Sequence, residues 1–466
     1  MRTLSPLLLV LLCAFSQAST PQLTARPAVL AGDSPDVAVS GLAPGEAVVV
    51  HGLRMTTAWV QGAEGQWSQQ PVTVHAWAGF TADGDGRIDL NTTAPVSGSY
   101  RQADGLGLIW SGFRQGAPEL SQVADAAVYE VEGTAPSTVI FRLARGGRVV
   151  AEARTRIATQ RGAVTTVEIS QPGLVGVFAA PEGATGLPVL IQLHGSEGSD
   201  PANARARAVR FASRGYATLA LTYFSRFAQV DADPNTADDL VEIPVEMIDR
   251  ARTWLRMRPE ADVERIALHG WSKGAEFSLV AAQRYPWIDA VVACVPSDLV
   301  WQGGGAEPGR PQRSSWTFEG RPLPFVPLYP YIPEEGLYRT NTDRYERSLR
   351  ELGDAGGGAR IAIDRSPARF LLLGGDRDAV WASGEMARRL SDQMAAAGRS
   401  ADVEVATYAM AGHDICGDGA GLTRLYFNDP PGPQAADATA SGEATGDAAR
   451  RTLDFLGRTI GPAHVF

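Results

Sequence analysis

From about residue 163 onward, short apolar runs alternate with amphipathic helical stretches. A largely parallel sheet with helices on its faces satisfies that alternation. The apolar runs are "LPVLIQL" (187–193), "YATLALTYF" (216–224), "VERIALHG" (263–270), "IDAVVACV" (288–295), "RFLLLGG" (369–375) and "VEVATYAM" (403–410). Helical patterns fall near 202–214, over "EIPVEMIDRARTWLRM" (242–257), after Ser272, and over "GDAARRTLDFLGRTI" (446–460). Two irregular stretches interrupt the alternation. Residues 301–343 are rich in Gly, Pro and aromatics, and residues 429–446 are polar and low in complexity. Both read as cap or rim loops.

One strand-to-helix junction carries chemistry. Gly270-Trp271-Ser272-Lys273-Gly274 has the G-x-S-x-G spacing, in which two glycines permit a tight, strained turn that exposes the serine. A serine hydroxyl needs a histidine to take its proton and a carboxylate to orient that histidine. Of six histidines, His51 and His75 precede residue 160, His464 is almost terminal, and His194 and His269 lie before the serine. His413, in "YAMAGHDI" just past a strand, remains as the base. The acid is expected from "LLLGGDRDAVW": Asp378 is preferred, Asp376 is the alternative, and Asp414 is a weaker candidate because a residue adjacent to the histidine rarely has the right reach. The order Ser…Asp…His is that of the nucleophile-elbow hydrolases. Two backbone N–H donors would complete the site, from Lys273 and from Ser196 in "LHGSEGSD". His194 reads as structural. Lys273 is the only lysine in the chain. A compact ammonium there could tie down a cap loop or meet an anionic part of the substrate, with Glu276 as an i,i+3 partner.

Residues 19–160 read as an all-β, immunoglobulin-like sandwich. Short alternating runs are separated by turns, and two strands flank Gly146-Gly147 as a hairpin. "TADGDGRIDLNT" (81–92) resembles a calcium loop, but threonines stand where its first and last carboxylates belong. It reads as a hairpin turn, and the sequence calls for no metal or cofactor.

At 466 residues the chain is long enough for two or three domains. Its formal charge of −10 disfavours a general nucleic-acid binder. The start, "MRTLSPLLLVLLCAFSQAST", has a basic residue, a short apolar core and a small-x-small site. It is expected to be a signal peptide over 1–18, cleaved near Ala18, which would leave no membrane span and export the protein. Of three cysteines, only Cys294 and Cys416 would then remain. Two cysteines make no disulfide framework, and free, partly buried thiols are the simpler reading.

The junction and its surroundings resemble a known family. The stretches "FTADGDGRIDLNTTAPVSGSYRQADGLGLIWSGF", "GWSKGAEFSLVAA", "WTFEGRPLPFVP" and "AGHDI" are similar to those of the acyl-CoA thioesterase and bile acid-CoA:amino acid N-acyltransferase family. The S-K-G-A-E run is the most specific of them. The resemblance implies a β-sandwich (19–160) followed by an α/β-hydrolase domain (163–466) with a cap insertion near 301–343. It also implies a Ser272–Asp378–His413 triad. Members with cysteine as nucleophile are associated with amino-acid conjugation, so Ser272 points to hydrolysis. The family's acid motif is similar to G-x-D-D-x-x-W; here Arg377 replaces one aspartate, between Asp376 and Asp378. The expected reaction is hydrolysis of a small acyl thioester through an acyl-enzyme. An exported carboxylesterase, or an acyltransferase using an amine, is the alternative. A binding protein with a relic hydrolase domain is the reading from another class.

Overall fold

The computed structural model describes residues 20–61, 67–114, 137–225, 233–304, 311–329, 341–352, 358–416 and 437–461. The expected signal peptide therefore lies outside the described residues, apart from the chain just after it.

The strands of the larger sheet are β1 (Val164–Gln171), β2 (Leu174–Pro181), β3 (Leu187–Leu193), β4 (Ala217–Leu221), β5 (Ala261–Trp271), β6 (Ala290–Cys294), β7 (Arg369–Gly375) and β8 (Val403–Tyr408). Across the sheet they run β1-β2-β4-β3-β5-β6-β7-β8. The pairings of β1 with β2 and β2 with β4 are antiparallel, and all the others are parallel. The central strands are buried on both faces, which is why they read as continuous apolar runs rather than alternating ones. The covering helices are α1 (Pro201–Ala212), α2 (Met247–Leu255), α3 (Lys273–Ala282), α5 (Ser383–Ala396) and α6 (Ala438–Thr459). A further helix, α4 (Asn341–Leu352), precedes α5 in the chain. Asp200 caps α1 by accepting from Asn203 N at 2.7 Å, with Pro201 in the first turn, where a missing N–H costs nothing.

The N-terminal β-rich region consists of two sheets around one core. Gln22–Thr24, Ala38–Ser40 and Ile88–Asp89 form the smaller sheet. The larger is built on Ala47–Gln61, Trp67–Thr81, Thr138–Arg145 and Arg148–Ala158. Leu23, Val39 and Ile88 from one sheet pack with Val50, Phe80 and Phe141 from the other. Gly146 and Gly147, at φ 54° and 80°, turn the hairpin between Thr138–Arg145 and Arg148–Ala158. The 82–87 turn corrects the sequence reading. Trp67–Thr81 and Ile88–Asp89 lie in different sheets, so the turn is a corner between sheets rather than a hairpin. Asp83 holds it by accepting from Asp85 N and Arg87 N at 2.9 and 2.8 Å.

Two further corrections concern the irregular stretches. Within 301–343, Trp301, Trp316 and Val326 are fully buried, and Trp316–Phe318 pairs with Ile243–Pro244 and Arg321–Pro322 in a small sheet. This insertion therefore contributes Trp301, Trp316 and Val326 to the core, while 311–313 and 319–322 are exposed, so it is not simply a rim loop. The stretch 429–446 falls partly outside the described residues, but from Ala438 it is the first part of α6. Its small residues are buried because they must be: a Cβ on Gly442 would lie 2.2 Å from the Trp110 ring of the β-rich region. Arg214, donating to Asp33 at 2.7 Å and to the Ala31 carbonyl at 2.9 Å, fastens the two regions at another point.

Candidate active site

Strand β5 delivers Ser272 at the carboxyl edge of the sheet, and α3 begins with the next residue. Ser272 has φ 56° and ψ −119°, a conformation rarely adopted by a side-chain-bearing residue and held only where the surroundings over-determine it. The flanking glycines explain how. A Cβ on Gly270 would stand 2.1 Å from the Gly274 carbonyl oxygen. One on Gly274 would stand 2.3 and 2.4 Å from the carbonyl oxygens of Leu193 and His194. Gly274→Ala is therefore expected to push the elbow off β3. Such a misplacement lowers kcat/KM by about 100-fold or more, read by steady-state kinetics on the soluble protein. Ser272 N–H is tied to strand β6, donating to the Cys294 carbonyl at 2.9 Å.

The loop after β8 brings His413 to the serine. His413 Nε2 lies 3.0 Å from Ser272 Oγ, and Nδ1 lies 2.8 Å from Asp378 Oδ2. Because the Asp378 carboxylate only accepts, Nδ1 carries the proton and Nε2 faces the serine as acceptor. Asp378 follows β7 with its side chain fully buried. Its Oδ1 accepts from Val380 N and Trp381 N at 2.8 and 3.2 Å, and Ser383 Oγ donates to Oδ2 at 2.6 Å. Every lone-pair direction is thus aimed by a fixed donor. Burial works against a charged His413, but the charge and hydrogen bond of Asp378, with Asp414 and Glu197 beyond, outweigh it. The imidazole is held above its ordinary value. Trp271 and Trp381 pack near its ring, each with centroids 5.9 Å away.

The remaining candidates separate cleanly. Asp376 turns away and accepts from Arg388 Nη1 at 2.9 Å. His194 is buried, stacked on Tyr223 with centroids 3.9 Å apart, and accepts from Tyr223 N at 3.3 Å. Lys273 opens α3, where a first-turn N–H has no acceptor within the helix. The loop carrying Ser196 lies against the serine, since a Cβ on Gly195 would approach Ser272 Cβ to 3.3 Å. The neighbouring Gly195 N–H is already committed to Glu197 Oε1 at 3.0 Å. Ser383, Trp381 and Glu197 were not singled out as site residues from the sequence. Only Trp381, through the acid motif, carried any signal there.

The lone lysine does not face the serine. Its ammonium is buried, donating to both oxygens of Glu276 at 2.9 Å and to Ser315 Oγ at 2.8 Å. Glu276 also accepts from Trp316 Nε1 at 2.8 Å and Trp301 N at 3.2 Å. Burial pushes the lysine down and the glutamate up, and each one's charge opposes the shift of the other. The pair fastens the 301–318 insertion to the helix that starts at the serine. A planar guanidinium does not fit three donors into this pocket as an ammonium does. Removing the charge strands a buried carboxylate, so Lys273→Met is expected to cost about 3–5 kcal/mol of stability, measured by denaturant unfolding. Lys273→Arg keeps a charge opposite Glu276 but overfills the buried pocket, so it is expected to cost about 1–3 kcal/mol of stability in the same unfolding measurement.

Cys294 and Cys416 correct the free-thiol reading: they form a disulfide, with Cα atoms 5.8 Å apart. The bond joins the end of β6 to the loop just past His413, two points separated by 122 residues in sequence. Among the described residues no group of three or more His, Cys, Asp or Glu side chains could hold a metal ion. No described helix is long and apolar enough to cross a membrane.

The strand order and the serine elbow define an α/β hydrolase. Residues 33–171 match the N-terminal region of the acyl-CoA thioester hydrolase / bile acid-CoA:amino acid N-acyltransferase family, and residues 243–416 match its C-terminal region. Residues 174–307 also match the dienelactone hydrolase family. Acyl-coenzyme A thioesterase 6 of Mus musculus is 26% identical over 394 residues, covering 81% of each chain. Acyl-coenzyme A thioesterase 5 of Mus musculus is 27% identical over 389 residues, again covering 81% of each. A puromycin-hydrolysing peptidase of Mycobacterium tuberculosis is similar in structure at a TM-score of 0.41 and 15% identity, over 87% of this chain and 54% of that one. The chain belongs to the acyl-CoA thioester hydrolase / bile acid-CoA:amino acid N-acyltransferase family.

Proposed function

We propose that the protein is a serine hydrolase of acyl thioesters that works through an acyl-enzyme. The observation carrying this reading is His413 bridging Ser272 and the buried Asp378 at 3.0 and 2.8 Å. Ser272 Oγ attacks the acyl carbonyl while His413 Nε2 takes its proton. The Lys273 and Ser196 N–H groups stabilise the oxyanion. His413 then returns the proton to the departing thiolate, and a water activated by the same imidazole releases the acid. Asp378 holds the imidazole in the required tautomer and stabilises the imidazolium, without itself being protonated.

The substrate class is supported by the family, whose relatives carry the name acyl-coenzyme A thioesterase. The disulfide favours a second reading. Such bonds persist in oxidising compartments, in keeping with the signal-like start and export. There the acyl group could arrive on another thiol or alcohol, which would make the protein an exported esterase. Steady-state kcat/KM on an acyl-CoA and on an aryl ester of the same acyl chain separates the two. A higher value on the thioester is expected, and preference for the aryl ester with negligible thioester turnover overturns the first reading.

A further inference from the structure

We propose that the Cys294–Cys416 disulfide is a positioning device that holds the His413 loop in register with the nucleophile. This rests on the reading of Ser272 and His413 given above. Cys294 does two things at once: its carbonyl accepts the Ser272 N–H at 2.9 Å, and its sulfur bonds Cys416, three residues beyond His413. The covalent link thus runs from the anchor of the nucleophile to the loop of the base. Ahead of His413 the loop is fixed by Arg377 N donating to the Ala411 carbonyl at 3.0 Å and by Ser441 Oγ accepting from Gly412 N at 3.2 Å. Beyond His413 it is held by the buried Ile415, by Thr445 Oγ1 donating to the Asp414 carbonyl at 3.2 Å, and by the disulfide. Trp271, next to the serine, packs against the same buried cluster of Val295, Ala411 and Ile415 as Cys416 does, and donates to the His413 carbonyl at 3.5 Å. Loosening the far side of the loop moves Nε2 relative to Oγ, a contact whose rate contribution is steep in distance.

Cys294 is buried and Cys416 half-buried, so exchange would start at the Cys416 sulfur. Both cysteines line a cavity of about 620 Å³ between the two regions, walled also by Phe211, His269 and Leu453. Its volume is large enough for a small dithiol such as dithiothreitol. One thiolate attacks a cystine sulfur and displaces the other as thiolate, giving a mixed disulfide. The second thiol of the reagent then closes its own ring and releases the second cysteine. The protein gains two electrons and two protons, and the reagent is oxidised to its cyclic disulfide.

The test compares the full-length protein as purified, after dithiothreitol, and after reoxidation, with free thiols counted and near-UV circular dichroism recorded at each stage. Reduction is expected to release the two thiols of Cys294 and Cys416 and lower kcat about tenfold with KM within about twofold, with the aromatic bands of the dichroism spectrum unchanged and recovery on reoxidation. Cys416→Ser is expected to show the lowered kcat from the start and to be indifferent to dithiothreitol, and it decides the matter if the wild-type bond resists reduction. Unchanged kcat in the reduced protein or the variant overturns the proposal. So does a loss of kcat that tracks loss of the dichroism signal, which would make the bond a general brace. An oxidised wild type no more active than Ser272→Ala would instead overturn the function proposed above, a result separable from either.

Discussion

Ser272→Ala is expected to lower kcat on a thioester by about 10⁶-fold while leaving the unfolding midpoint within a degree or two of wild type. The size follows from the division of labour at the site. Without Oγ there is no covalent step, and the His413–Asp378 couple has no hydroxyl to activate. On the proposed mechanism, what survives is the contribution of the Lys273 and Ser196 N–H groups to water attack on the bound substrate, a residual of about 10³–10⁴ over the uncatalysed reaction. The fold tolerates the change because Ser272 is anchored by its main chain, to the Cys294 carbonyl, and the side-chain hydrogen bond it loses is the one to His413. Alanine also keeps the positive φ that the two glycines have already made room for. A single-turnover assay that still gives a burst of thiol release from Ser272→Ala contradicts the acyl-enzyme route.

Asp378→Asn is expected to cost about 10⁴-fold in kcat, for a reason visible in the hydrogen bonds around it. Two backbone donors, Val380 N and Trp381 N, converge on Oδ1, so an amide oxygen must take that position. The amide NH2 then occupies the place of Oδ2 and donates to His413 Nδ1. The imidazole proton is forced onto Nε2, which faces Ser272 Oγ as a donor and cannot accept from it. The same substitution moves the pH profile. The base must be neutral to work, so wild-type kcat/KM falls as pH drops through the His413 value, which lies above that of an ordinary histidine. Burial is the largest influence on that group and lowers it; Asp378 is what more than restores it. With the carboxylate gone, the acid limb of the residual activity is expected to shift toward lower pH. A variant within tenfold of wild type, or an acid limb that does not move, contradicts this role for Asp378.

Much of the fold was legible because its signals are periodic and local. Buried parallel strands must be apolar throughout, and the elbow needs glycine on both sides of one residue, so β3 to β8 and the Ser272 turn show in the composition of a few residues. The preferred acid and base also lay where the strand ends put them. What was not legible depends on distant partners. Nothing near Cys294 announces Cys416, 122 residues on, and the pairing exists only because β6 and the loop after β8 meet at one sheet edge. The Gly- and Pro-rich look of 301–343 hid Trp301 and Trp316, which pack into the core and each donate an N–H to Glu276 on a different element. The small residues that begin α6 read as a loop by propensity, yet close contact with Trp110 requires glycine at 442. Lys273 is conspicuous as the only lysine, and of its two expected roles the structure fits the tie to the insertion, through Ser315 and the Trp301 carbonyl, rather than a contact on the substrate side. It joins the insertion to the nucleophile helix.

The nucleophile can be tested directly on the whole protein. The wild type and Ser272→Ala are incubated with an alkyl fluorophosphonate, digested, and the adduct located by peptide mass spectrometry. Wild type is expected to carry one phosphonyl group, on the peptide containing Ser272, and the variant none. Equal labelling of the two proteins, or an adduct on any other residue of the wild type, would contradict Ser272 as the nucleophile.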